Sequence, residues 1–403
     1  MQKPLEGIRV VDWTIWQFGP TATVMLADLG AEVIKVEQRG PGDPGRGISA
    51  LGSLKIGRPS FYWEACNRHK KSIAVDLKTP MGREIVLQLV QRSDVFVQNF
   101  RKGVADRLGL GYEALRTLNP RLIYASGSGY GPDGPDSAEP AFDYLGQARS
   151  GFMYESAVPD EHLPAYVTGG IADQMGAIML AYGVMVALVV RERHGIGQRV
   201  DTSHLGAMVA LQGLTVTAAG IHGRAMSTPT REGAVNALWN HYMCQDGKWF
   251  ALGMIQSDRY WKDLCELVGR PDLASDPRFA DAASRTHHRF DVIAELDKVF
   301  RTKPRAEWLE ILRRDRNLVF GPVNRIEDLI EDPQAIANEY VVDYEHPDYG
   351  TFKLAGLPLR FSQTPGDARG RAPELGEHTE EILTETLGYT WEQIHELRES
   401  GVI

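Results

Sequence analysis

The sequence predicts an α/β protein: a large Rossmann-like domain with a mostly parallel sheet, plus a smaller α+β domain. Two observations carry that prediction. Short apolar runs of strand length alternate with helix-length segments along the first two hundred residues, the pattern of βαβ units covered on both faces. The length, 403 residues, suits two domains of roughly 100–200 residues each.

The opening is the clearest unit. Ile8 to Trp13 reads as a strand, and Gln17-Phe-Gly-Pro20 as a turn with proline in the first helical turn. Thr21 to Leu29 reads as a helix stopped by Gly30, and Glu32 to Val36 as a second strand. Further strands are predicted at Ser72 to Leu77, Asp94 to Gln98 and Leu122 to Ser126, with helices such as Pro80 to Arg92 between them. A long helix is expected over 172–192, ended by His194-Gly195. Met226 to Asn240 is rich in Ser, Thr, Pro and Gly and reads as a connection. The stretch from about 240 to 320 combines a hairpin around Asp246-Gly247 with several helices. Beyond Gly321-Pro322 come a helix, a strand pair near 341–361, a Pro/Gly-rich link at 365–376 and a C-terminal helix. The boundaries drawn are therefore 1–225 for the first part of the large domain, 226–325 for the small domain, and 326–403 for a return segment that completes the large one.

Composition narrows the function. Hydrophobic residues make up 43% and charged residues 24%, enough apolar content for a substantial core. A net charge of −9 argues against a general nucleic-acid or membrane-surface binder. Three cysteines with no CxxC pair fit a reduced, cytoplasmic setting. The N-terminus has no signal-peptide pattern. The apolar run Met175 to Val190 is shorter than the roughly 20 residues of a membrane span and follows Asp173 directly, so it reads as a buried core helix.

An open α/β sheet first suggests a dinucleotide enzyme. That site needs G-x-G-x-x-G after the first strand, and Thr14 to Thr21 offers one glycine. The eleven histidines form no H-E-x-x-H and no Cys/His metal spacing, so no metal site is assigned. There is no G-x-S-x-G elbow.

What remains is an ordered set of motifs. It runs from Pro4-Leu-Glu-Gly-Ile-Arg-Val-Val-Asp12 through Leu29-Gly-Ala-Glu-Val-Ile-Lys-Val-Glu37, Asn67-Arg-His-Lys-Lys-Ser72 and Asn99-Phe100. It continues with Phe142-Asp-Tyr-Leu-Gly-Gln-Ala-Arg-Ser-Gly151, Gly195-Ile-Gly-Gln-Arg-Val-Asp201, and Ala372-Pro-Glu-Leu-Gly-Glu-His-Thr379. Along nearly its whole length the chain resembles the family III CoA-transferases, the CaiB/BaiF group that includes formyl-CoA transferase and carnitine CoA-transferase. The resemblance implies transfer of coenzyme A from an acyl-CoA to a free carboxylic acid. Acyl-CoA is then a substrate, no cofactor is held permanently, and succinyl-CoA is the family-level expectation for the donor. It also implies an interlocked dimer of two ring-like subunits, identical or related, and no nucleic-acid or membrane partner.

The nucleophile implied by the family is the aspartate of Thr168-Gly-Gly-Ile-Ala-Asp173. A carboxylate in the first turn of a predicted apolar helix is favoured there by the helix dipole and free N–H groups, which would keep it ionised. Position alone equally suits a simple helix cap. Carry-over from formyl-CoA transferase assigns CoA contacts to Gln17, Phe18, Arg39, the strand end Val75, Asp76, Leu77 and Lys78, then Asn99, Phe100, Arg101 and Arg107. As bare sequence, Arg39, Lys78 and Arg107 are equally readable as solvated surface charges. Trp16, Trp239 and Tyr242 are candidates for the acyl pocket or for ordinary core. Gly169 and Gly170 are candidate oxyanion donors. Two positions depart from formyl-CoA transferase, which has arginine at Gln38 and lysine at Pro140. Its glycine-rich loop over the active site has no counterpart between 225 and 265, which points to a different acid. The alternatives are an α-methylacyl-CoA racemase on the same fold, whose histidine position is Phe142 here, and a non-catalytic CoA-binding subunit.

Overall fold

The computed structural model describes residues 2–157, 163–226 and 229–403, so residues 227–228 of the predicted connection lie outside the described residues. The chain separates into two compact units. The larger unit is built from Met1–Ser156, Pro164–Ala225 and Gln334–Ile403, and the smaller chiefly from Met226–Pro333.

The larger unit is organised by a six-stranded sheet. Its strands are β1 (Arg9–Trp13), β2 (Glu32–Glu37), β3 (Lys71–Ala74), β4 (Val95–Gln98), β5 (Ile123–Ser128) and β6 (Arg199–Ser203). They lie in the order β3-β2-β1-β4-β5-β6 with every neighbouring pair parallel. Strand order reverses between β1 and β4, where Val10 is in register with Val33 on one side and Val95 on the other. In an open parallel sheet that reversal leaves a crevice beyond the carboxyl ends of the strands.

Period-two alternation sorts the strand residues to two cores. Val11, Ile34, Ile73 and Phe96 pack with Ile85, Val86 and Leu89 of helix Pro80–Gln91. Val10, Val33, Val95 and Ile123 pack instead with Leu26 of α1 (Phe18–Asp28) and with Leu180 and Val184 of α2 (Ile171–His194). The C-terminal helix Trp391–Glu399 joins the first of these cores through Ile394 and Leu397. An antiparallel pair, Val341–His346 with Gly350–Ala355, completes this unit.

One expectation is corrected. α2 is not a wholly buried core helix. Ala177, Leu180, Val184 and Leu188 face the core, but Ile178, Tyr182, Val186 and Val189 are exposed along the opposite side. The apolar run is long because both faces are apolar, and only one of them is used within the chain.

The smaller unit holds a three-stranded antiparallel sheet, Trp239–Met243, Trp249–Gly253 and Phe320–Val323, with the second strand central. Helices Asp258–Leu267, Arg289–Phe300 and Arg305–Leu312 supply Trp261, Phe300 and Trp308 to a core shared with Tyr242 and Phe250.

Candidate active site

Charged residues interrupt the apolar strands β1 and β2 at Asp12, Lys35 and Glu37, all buried. Burial of an ion is costly unless it is paired. Each is paired here: Lys70 Nζ to Asp12 at 2.8 Å, Lys35 Nζ to Asp43 at 2.8 Å, and Arg46 to Glu37 at 2.8 Å. Burial works against the charge of Asp12, but Lys70 and Lys35 hold its carboxyl below the ordinary range. Glu37 is held down in the same way by Arg46 and Lys35 against its own burial.

These pairs fasten the turn after β1. Lys35 Nζ donates to the Thr14 carbonyl at 3.0 Å, and the Asn99 side chain accepts from Ile15 N–H at 2.9 Å and donates to its carbonyl at 2.8 Å. Trp16 sits at φ 66°, a left-handed conformation that costs a bulky residue energy. Its N–H donates to Asp43 at 3.1 Å. The turn is thereby held open beside the sheet's reversal point.

Two cavities meet there. One, about 590 Å³, lies over the carboxyl ends of β1, β2 and β3. The other, about 290 Å³, is lined by Trp16, Phe18, Phe142, Asp173 and His204 among others. They share Ile15, Phe100 and Val104 as wall.

Asp173 stands in the first turn of α2, whose N-cap Gly170 offers no side chain. The cap comes from elsewhere. Asp143, at the start of helix Asp143–Arg149, accepts from the N–H groups of Ala172 at 2.6 Å and Asp173 at 3.1 Å. The approach depends on Gly146, where an added Cβ would fall 2.7 Å from His204 Cβ and 2.9 Å from Ala172 Cβ. The helix N–H groups expected to support Asp173 are thus occupied by Asp143. Asp173 has a different partner: its Oδ1 lies 2.7 Å from His204 Nε2. His204 is buried, and its ring packs against Phe18 at 4.7 Å between centroids, tilted by 42°. Burial raises the Asp173 carboxyl above the usual carboxylate value, His204 pulls it back in part, and the Asp143 charge adds to the rise. The expectation that the helix terminus alone keeps Asp173 ionised is corrected accordingly. Among the described residues only Oδ1 of its two oxygens has a hydrogen-bond partner, and Asp173 lines the smaller cavity.

The family described as CoA-transferase family III matches residues 5–379. The chain is a family III CoA-transferase. It is 34% identical to succinyl-CoA–D-citramalate CoA-transferase of Chloroflexus aurantiacus, over all of this chain and 98% of that one. It is 35% identical to a formyl-CoA:oxalate CoA-transferase of Streptomyces avermitilis, over the whole of both chains. Among solved structures, a CaiB/BaiF family protein from Brucella suis superposes with a TM-score of 0.84 at 31% identity, covering 96% of this chain and all of that one.

Most of the CoA contacts expected from sequence fall on this CoA-transferase's cavities. Val75, Asp76, Leu77, Lys78 and Phe100 line the larger one. Phe18, Asn99, Phe100 and Arg101 line the smaller one. Gln17 lies beside them, its Nε2 donating to the Gly169 carbonyl at 3.0 Å. Arg39 and Arg107 line neither cavity, and Arg39 donates to the Ile403 carbonyl at 2.7 Å. Of the three aromatic candidates, Trp16 is in the smaller cavity. Tyr242 is corrected to a core residue of the smaller unit, with its hydroxyl on the Ala237 carbonyl at 2.7 Å. Trp239 is exposed beside a recess of about 380 Å³ on that unit's own sheet.

The sequence reading does not reach His204, and Asp143 enters it only within the motif Phe142 to Gly151. The one sequence signal for His204 was a lone imidazole after Ser203 at the head of an apolar helix, which resembles an ordinary capped helix start.

Proposed function

We propose that this CoA-transferase exchanges CoA between an acyl-CoA and a free carboxylate through covalent intermediates on Asp173. The observation that carries the reading is Asp173 on the wall of a cavity at the sheet's reversal point, with Oδ1 bonded to His204 and, among the described residues, no hydrogen bond to Oδ2. Oδ2 attacks the donor thioester carbonyl, and collapse expels CoA thiolate and leaves a mixed anhydride. The thiolate attacks Asp173 Cγ, expelling the donor acid as carboxylate and leaving an aspartyl–CoA thioester. The acceptor carboxylate attacks Cγ and expels the thiolate, which takes the acceptor acyl group and frees Asp173. No proton or electron is consumed, so the sequence needs neither ATP nor a resident cofactor. The larger cavity, walled by Val75 to Lys78, suits the nucleotide end of CoA, and Arg101 lines the smaller one. The three cysteines are buried and unpaired, which supports a reducing, cytoplasmic setting. Succinyl-CoA is proposed as donor because the Chloroflexus relative is named for it.

The test is to incubate the protein with succinyl-CoA, treat with borohydride or hydroxylamine, and map the modified residue by mass spectrometry. Modification at Asp173, and loss of transfer by at least about 1000-fold in Asp173→Ala with CoA binding retained, is expected. Transfer without modification of Asp173 overturns the mechanism.

One observation favours a second reading. A bonded His–Asp pair resembles the acid–base couple of an α-methylacyl-CoA racemase. Two groups that exchange a proton at a chiral carbon must flank it, however, and His204 and Asp173 lie 2.7 Å apart on one side of the cavity. Deuterium uptake at the α-carbon of a 2-methylacyl-CoA in heavy water would revive that reading, and none is expected.

A further inference from the structure

We infer that His204 is the oxyanion donor for the enzyme's own tetrahedral intermediates, those formed at Asp173 Cγ and not at the substrate carbonyl. The inference rests on Asp173 being the nucleophile and adds a second catalytic residue to it.

The two oxygens of Asp173 are not equivalent. Oδ1 is held by His204 Nε2 at 2.7 Å, while Oδ2 accepts no hydrogen bond among the described residues. Oδ2 is therefore the oxygen that attacks. Once it is bonded to an acyl group, Oδ1 is the carbonyl oxygen of the aspartyl half of the anhydride. When CoA thiolate adds to Cγ, the electron pair of the Cγ=Oδ1 bond moves onto Oδ1. It returns when the Cγ–Oδ2 bond breaks and the donor acid leaves. When the acceptor carboxylate adds to Cγ of the aspartyl–CoA thioester, the pair moves onto Oδ1 again. It returns as the Cγ–S bond breaks. Negative charge thus develops on one enzyme atom in both central steps, and a donor is already bonded to that atom.

The chemistry of the pair fixes which partner donates. An ionised carboxylate only accepts, so Nε2 carries the proton. The other ring nitrogen, Nδ1, is buried with no partner. A ring protonated on both nitrogens would leave an N–H unsatisfied in the interior, which is costly. His204 therefore acts as a fixed donor and not as a proton carrier. Its placement is fixed by packing: the Phe18 ring lies 4.7 Å from it between centroids, and the Gly146 backbone closes against its Cβ. Ser203, whose hydroxyl accepts from Gly206 N–H at 3.0 Å, caps the helix His204–Leu211 on which the ring sits. A buried, preorganised donor aimed at the atom where charge develops lowers an oxyanion's energy.

The experiment compares wild type, His204→Leu and His204→Gln by rapid quench with acyl-CoA alone, following the mass of the aspartyl–CoA adduct. CoA affinity is measured in parallel. In the leucine variant the adduct is expected to form about 100- to 1000-fold more slowly, with CoA affinity unchanged. The glutamine amide N–H reaches the place of Nε2, so that variant should recover at least tenfold over leucine. An adduct formed at wild-type rate in the leucine variant overturns the inference. Equal slowing in both variants also overturns it, since packing and not donation would then be at stake. Absence of any Asp173 adduct in wild type defeats the nucleophile itself, a result distinct from either.

Discussion

At the scale of single residues, the chemistry rests on a carboxylate whose charge the fold resists. Burial lifts the Asp173 carboxyl above its ordinary value of 3.8, with the Asp143 charge adding and His204 subtracting. Only the ionised form attacks, so the acid limb of kcat/KM should lie above the ordinary carboxylate range. It should move higher still in His204→Leu, which removes the one lowering partner. A limb at or below 3.8, or one that His204→Leu shifts downward, contradicts this account. The same shift has a cost in stability. The folded state holds the proton more tightly than the unfolded chain, so the stability linked to protonated Asp173 is present below 3.8 and is lost as pH rises through the raised value. Asp173→Asn keeps an acceptor for His204 and removes the charge. Calorimetry at pH 7 should find it melting above wild type, as inactive variants of strained sites often do. Asp12 illustrates the opposite case, a carboxyl held below its ordinary value against its burial, chiefly by Lys70. Lys70 and Asp12 are both fully buried, and Lys70→Met leaves Asp12 unpaired. A loss of about 3–5 kcal/mol in denaturant unfolding is expected.

At the scale of elements, the active site is a helix start completed by a different helix. Asp143 supplies the cap that Gly170 cannot. Asp143→Ala should lower stability by about 1 kcal/mol, read from denaturant unfolding, and lower kcat as the first turn of α2 loosens. Asp143→Asn keeps the acceptor and should lose less on both counts. If alanine and asparagine lose equally, the cap is not what the aspartate supplies. This division also explains what the sequence made legible. Parallel strands buried on both faces read as unbroken apolar runs, so Val10-Val11, Val33-Ile34 and Val95-Phe96 declared β1, β2 and β4. Asp173 was legible through the motif Thr168 to Asp173 and the family it resembles, since its position alone suits a helix cap. His204 was not, because its partner is 31 residues away and only the packing of one helix on another brings them together. The left-handed Trp16 was equally hidden, since nothing local requires it; Asp43 and Asn99, both distant in sequence, hold its turn in place. The burial of α2 was overcalled because hydropathy reports that a face is apolar and not what covers it.

At the scale of the whole molecule, that uncovered face has a consequence. α2 is long and apolar enough to cross a membrane by length and composition, and about 39% of its most apolar window is buried within the chain. A spanning role conflicts with its surroundings. Its other face packs on α1 and the parallel sheet, and the helix ends in Arg191 and Arg193. Ile178, Tyr182, Val186 and Val189 are exposed on α2, and Leu214 and Ile221 are exposed on helix Gly213–His222, large apolar side chains of the kind that mark an interaction surface. A second copy of the chain is the proposed cover, in keeping with the interlocked dimer that the family resemblance implies. Light scattering coupled to size exclusion should give twice the 44.8 kDa of one chain at micromolar concentration. Tyr182→Glu with Val186→Glu places two charges on the stripe, each costly to bury without a partner, and should shift the mass toward one chain or leave the protein aggregated. A wild-type protein that runs as a monomer would remove the second copy as the cover. A double variant that still runs as an intact dimer would move the interface off α2.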